Sequence, residues 1–121
     1  MRLAAVVLLL LVLPASTAQA RPAQPAAPQA MTRCIGTGAA WHRGTASGSR
    51  YAIIARGVTC TFAKRWVARL SRFDVMIPGQ RLTTGPAGYK CIATVPVDGK
   101  AKIGACGSSG GRGFSWAPKY S

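Results

Sequence analysis

Between Gly57 and Phe73 the apolar residues Phe62, Ala63, Trp66, Val67, Leu70 and Phe73 recur three and four apart. That spacing stacks them on one side of a helix. Lys64, Arg65, Arg69 and Arg72 fall on the other side, and Cys60 stands at the start. A helix is therefore expected over residues 60–73. Thr59 or Thr61 can cap it through a side-chain oxygen, although no Glu or Gln follows three residues later to complete a capping box. Pro78-Gly79 cannot continue it, which sets its end near Phe73 or Asp74.

Upstream, Tyr51, Ile53 and Ala55 alternate with their neighbours and define a strand over 51–56, ended by Gly57. Residues 34–41 read as a first strand, weakened by Gly36 and Gly38. His42 to Arg50, with Gly44, Ser47, Gly48 and Ser49, reads as a loop, as does Val75 to Ala87. Strands over 89–97 and 100–106 flank Asp98-Gly99, the strongest hairpin turn signal in the chain. A two-residue turn there sets Val97 against Lys100, Val95 against Lys102 and Cys91 against Cys106. The same register turns Ile103 away from the face of Cys106, which a bulge at Gly104 would repair. Gly107 to Gly113 forms a connection, and a last strand covers 114–117. Together these elements predict an α+β fold, a small antiparallel sheet with one amphipathic helix packed on one face.

The N-terminus has a different character. Met1-Arg2 precedes an unbroken apolar run, Leu3 to Leu13, then Pro14 and a small-residue ending at Ala18-Gln19-Ala20. This is the pattern of a secretory signal peptide, residues 1–20, with cleavage after Ala20 and an extracellular destination. As a helix the run rises only about 16 Å, roughly half a bilayer core, too short for an anchor. Residues 21–30 carry three prolines and no large apolar group, so an extended, disordered Pro/Ala-rich leader is expected before a single domain at 31–121.

Cleavage leaves 101 of the 121 residues, and the only leucines among them are Leu70 and Leu82. A core so poor in large aliphatics needs covalent support. Cys34, Cys60, Cys91 and Cys106 all lie beyond the leader, and an even count in a small exported chain reads as two disulfides. No C-x-x-C or paired histidine offers a zinc site, and no metal or cofactor is expected. Cys91 and Cys106 oppose each other in the hairpin, but a bond there adds little to a pairing already closed by its turn. The expected pairs are Cys60–Cys91 and Cys34–Cys106.

Charge narrows the classes of partner. Sixteen Lys and Arg oppose two Asp, for a net charge of +14, or +13 once Arg2 leaves with the leader. Such a field attracts nucleic acids, anionic wall or capsule polymers, and anionic membrane surfaces. The helix face bearing Lys64, Arg65, Arg69 and Arg72 is the candidate binding surface. Trp41, Tyr89 and Trp116 either stack on bases and sugars or pack beneath the sheet. Catalysis is poorly supplied: glutamate is absent, Asp74 and Asp98 stand 24 residues apart, and His42 is the single histidine. A small nuclease, with His42 as base and Lys64, Arg65 or Arg69 stabilising phosphorane charge, lacks the second acid–base group. Gly107 to Gly113 lacks the order of a phosphate-binding loop.

Gly57-Val58-Thr59-Cys60-x-x-Ala63 at the helix start, Gly88-Tyr89-x-Cys91, then Cys106-Gly107 and an aromatic last strand form a pattern over about residues 51–117. It resembles one found in small secreted proteins of high-GC Gram-positive bacteria. The resemblance implies a compact α+β unit, not an activity, and Cys34 stands outside it. The functional expectation is a secreted, basic, monomeric, non-catalytic domain that binds anionic polymers. The alternatives are a disulfide-rich inhibitor or toxin, and a small nuclease. The cysteine spacing does not match the subtilisin-inhibitor type.

Overall fold

The computed structural model describes residues 30–94 and 100–120. The expected signal peptide, nearly all of the leader and the Asp98-Gly99 turn lie outside the described residues. In chain order the elements are β1 (Met31–Arg43), β2 (Ala46–Arg56), α1 (Cys60–Leu70), β3 (Gln80–Leu82), β4 (Tyr89–Ala93), β5 (Gly104–Ser108) and β6 (Gly113–Pro118). The six strands form one antiparallel sheet in the order β1-β2-β6-β5-β4-β3. The α+β expectation holds in outline, with sheet outweighing the single helix.

α1 lies across one face of the sheet, burying Ala63, Val67 and Leu70. Beneath it one rung of inward-facing residues crosses from Cys34 through Ile53, Trp116 and Gly104 to Ala93, and the next runs from Ala55 through Phe114, Cys106 and Cys91 to Leu82. Phe62 extends the helix contact toward the far strands, with ring centroids 5.9 Å from Tyr89 and 6.1 Å from Phe114. Thr59 is the N-cap, its Oγ1 accepting from the Phe62 amide at 3.1 Å. The helix stops about one turn short of Phe73. Ser71 caps its end, and Arg72 and Phe73 donate to Arg69 and Leu70 in a tightened last turn. Phe73 is then free to accept from the Ala101 amide at 2.8 Å, and Asp74 bridges Lys100.

The expected loop at 42–50 is instead the closing half of a long hairpin. Trp41 pairs with Gly48, His42 with Ser47 and Arg43 with Ala46 around Gly44-Thr45. Gly44 takes φ +59°, as a two-residue hairpin turn requires. The small residues read as loop formers leave room for the Trp41 indole, which lies against Gly48. A second strand also went unforeseen: β3, inside the expected 75–87 loop, is three residues long and contributes one buried side chain, Leu82.

Between Thr37 and Trp41 three residues of β1, Gly38, Ala39 and Ala40, oppose the single Ser49 of β2. A bulge of this kind leaves backbone groups without ladder partners. Side chains from three separate stretches of the chain meet them. Ser71 Oγ accepts from the Ala39 amide at 2.9 Å, the Tyr51 hydroxyl donates to the Ala39 carbonyl, and Lys102 Nζ donates to the Ala40 carbonyl. Lys102 is only 2 % exposed.

The expected β4–β5 register holds from Tyr89–Ser108 to Ala93–Gly104, but the bulge at Gly104 does not occur. Gly104 sits in regular register and faces the core, so Lys102, Gly104 and Cys106 alternate inward while Ile103 stays half-exposed. A Cβ on Gly104 would lie 2.5 Å from the Trp116 ring and 2.6 Å from the Ile92 carbonyl oxygen. Gly104→Ala is therefore expected to cost about 1–3 kcal/mol by overpacking, read from denaturant unfolding.

The disulfides differ from the expected pairs. Cys34 joins Cys60, with Cα atoms 5.9 Å apart, and Cys91 joins Cys106 at 4.0 Å. The helix starts directly over β1, so its first residue meets Cys34. The β4–β5 ladder ends at Ala93 and Gly104, with Thr94 donating to the Ile103 carbonyl as the last rung. Lys100 and Ala101 leave the hairpin to pair with Asp74 and Phe73. The bond thus crosses a ladder of which only the rungs from Tyr89–Ser108 to Thr94–Ile103 are described.

Candidate functional site

All four cations expected on the helix face are exposed. At about 100° per residue, Arg65 and Arg69 project within roughly 40° of one another, and Arg72 follows in the turn beyond the C-cap. Lys64 stands to one side, its stem lying over Gly36 of β1. Two of the arginines are seated on aromatic rings three residues earlier. The Arg65 guanidinium lies 5.8 Å from the Phe62 centroid, and that of Arg69 lies 5.2 Å from Trp66. Both rings are half-buried against the core cluster, so they anchor the two exposed guanidinium groups to the body of the domain. A planar, five-donor group fixed in this way can take a phosphate, sulfate or carboxylate in a bidentate fork at reduced entropic cost.

The remaining candidates are dispersed. Trp41 and Trp116 are buried, with indole N–H groups donating to the carbonyls of Arg50 at 2.9 Å and Ala101 at 2.8 Å. Tyr89 packs on Phe62. These three rings serve packing and present no open stacking platform. His42 is exposed near the turn of the β1–β2 hairpin, where it pairs with Ser47. It is not brought together with Lys64, Arg65 or Arg69. Asp74 pairs with Lys100 on the surface, and Asp98 lies outside the described residues. Among the described residues no group of three His, Cys, Asp or Glu could hold a metal ion. The Gly107–Gly113 stretch closes the β5–β6 hairpin, Ser108 donating to the Arg112 carbonyl at 2.8 Å and Gly111 to that of Ser108 at 3.2 Å.

The sequence gives no warning of a second basic surface, on the face of the sheet opposite α1. Its cations lie in separate strands, Arg33 in β1, Arg50 and Arg56 in β2, Arg81 in β3 and Lys90 in β4. Each is an isolated charge in the sequence, and only the strand order places them on one face. No family model, curated protein or solved structure matches this chain.

Proposed function

We propose that the protein is an exported, non-catalytic domain that binds anionic polymers, nucleic acid or acidic envelope polymers, through Lys64, Arg65, Arg69 and Arg72. The observation that supports this is the seating of Arg65 and Arg69 on Phe62 and Trp66, which restricts two exposed cations on the side of α1 that the sheet does not need. Two disulfides are compatible with an extracellular location, and no described helix is long and apolar enough to cross a membrane. The processed protein is read as a secreted monomer after cleavage at Ala20. On immobilised heparin it is expected to elute late and to release steeply with salt. The variant K64Q/R65Q/R69Q/R72Q is expected to elute at clearly lower salt while unfolding at the same denaturant concentration. Unchanged retention would overturn the helix-face assignment.

One observation favours a second reading, a disulfide-stabilised inhibitor or toxin. The turn before β3 projects Met76 at 84 % exposure and Ile77 at 62 %, while the Gln80 side chain accepts from both of their amides, at 2.7 and 3.3 Å. A braced apolar tip of this kind suits insertion into a protein pocket. Stoichiometric, salt-insensitive inhibition of one target, lost on Met76→Glu, would replace the polyanion reading.

A further inference from the structure

α1 covers one side of the sheet, and on the other side the described side chains stand open. One rung there crosses all six strands in the order Arg33, Ile54, Ser115, Ala105, Ile92, Arg81, a cation at each edge and, between them, two isoleucines, an alanine and a serine. The next rung begins Ile35, Ala52, Ala117. Ile35, Ile54 and Ile92 are 43, 42 and 42 % exposed. The rungs on either side return to cations, with Arg56 and Lys90 in one and Arg50 in the other. An aliphatic centre is thus rimmed with positive charge along all its edges. Asp74, the one acid among the described residues, is already paired with Lys100.

We propose that this open face docks on the surface of an anionic lipid bilayer. Isoleucines exposed in the middle of a basic field contribute nothing to binding a phosphate chain or an acidic polysaccharide. They gain free energy only where apolar surface is available beside the anions, which is the chemistry of a headgroup–acyl boundary. Nucleic acid is disfavoured because this face offers no open ring to stack on bases: Tyr51, Phe114 and Trp116 face the helix side, and Trp41 is itself buried. A second copy is disfavoured because two such faces would press arginine against arginine. The face also holds a hollow of about 290 Å³ where Gly107 and Gly113 oppose each other without side chains. Arg56 and Arg112 border it beside Met31 and Ile54, so an anionic headgroup fits against guanidinium with aliphatic surface alongside. This inference rests on the sheet and not on α1, so the two surfaces can fail separately.

The test is co-sedimentation of the exported, oxidised protein with phosphatidylglycerol–phosphatidylcholine vesicles, against vesicles of phosphatidylcholine alone. Binding to the anionic vesicles only is expected. R33Q/R81Q should weaken it about 25-fold, at roughly fivefold per Lys or Arg near the surface. I35T/I54T/I92T, which keeps β-branched residues in the strands, should weaken it by at least tenfold with the unfolding midpoint preserved. K64Q/R65Q/R69Q/R72Q should weaken it less than R33Q/R81Q does. Tryptophan emission should stay unshifted, since Trp41 and Trp116 are buried and Trp66 lies on the helix side. Equal binding to uncharged vesicles would overturn the proposal, as would full binding by the isoleucine variant or a blue shift from Trp66. Sedimentation of the free protein as a dimer that I35T/I54T/I92T dissolves would assign the face to self-association instead.

Discussion

Alanine at both Cys34 and Cys60 is expected to lower the free energy of unfolding by about 3.5 kcal/mol, and at both Cys91 and Cys106 by about 3 kcal/mol. The figures follow from loop closure in the unfolded chain over sequence separations of 26 and 15 residues. A small domain commonly holds only about 5–15 kcal/mol in total. Losing both bonds should therefore leave this one near or below the threshold of folding, because its buried cluster contains Leu70 and Leu82 as its only leucines. The two bonds act in different places. Cys34–Cys60 ties the first residue of α1 to the edge strand β1, so its loss should loosen the helix first. Cys91–Cys106 holds β4 to β5 below the point where Lys100 and Ala101 leave the ladder. Guanidinium unfolding followed by far-UV circular dichroism measures both losses, and a change below about 1 kcal/mol for either pair would contradict the loop-closure account.

Lys102→Ala is expected to cost about 2–4 kcal/mol, more than any change at an exposed lysine. The residue is 2 % exposed, and its Nζ donates to the Ala40 carbonyl in the β1 bulge. Removal takes a donor from that carbonyl and leaves the space of a four-carbon stem beneath the sheet. Lys102→Met refills most of the volume without the donor and should recover part of the loss. Ser71→Ala and Tyr51→Phe withdraw the partners of Ala39 and should cost about 1–3 kcal/mol each. The three changes converge on one short segment, so the double variants should fall short of additivity. Thermal melts of the single and double variants measure this. Strict additivity would mean that the bulge does not act as one unit.

What the sequence made legible was local. The helix face, a threonine cap at Thr59 or Thr61 and the Cys91–Cys106 register depend on spacings within about 20 residues, and each appears in the fold, with Thr59 as the cap. The β1–β2 hairpin was hidden because Gly44, Ser47, Gly48 and Ser49 carry a loop composition, while their role against Trp41 depends on a partner strand. Lys102 lies on the face shared with Cys106 in the expected register, but its burial depends on the bulge at Gly38–Ala40, which no local pattern announces. The disulfide pairing was missed for a related reason. The β4–β5 strands looked sealed by their turn, whereas Lys100 and Ala101 are drawn away toward Phe73 and Asp74. The basic helix side was readable because its four charges sit within nine residues. The open sheet face was not, because Arg33, Ile54, Ile92 and Arg81 come from four strands that only the order β1-β2-β6-β5-β4-β3 sets in line.

The central claim is that one side of α1 holds the sheet while the other is free to bind polyanions. The most direct measurement is the salt dependence of binding to a single-stranded oligonucleotide. With four phosphate contacts removed, K64Q/R65Q/R69Q/R72Q should flatten the slope of log K against log salt by about 3, at roughly 0.7 per contact, with the unfolding midpoint unchanged. An unchanged slope in a folded variant would contradict the account, because the charge that binds would then lie elsewhere on the molecule.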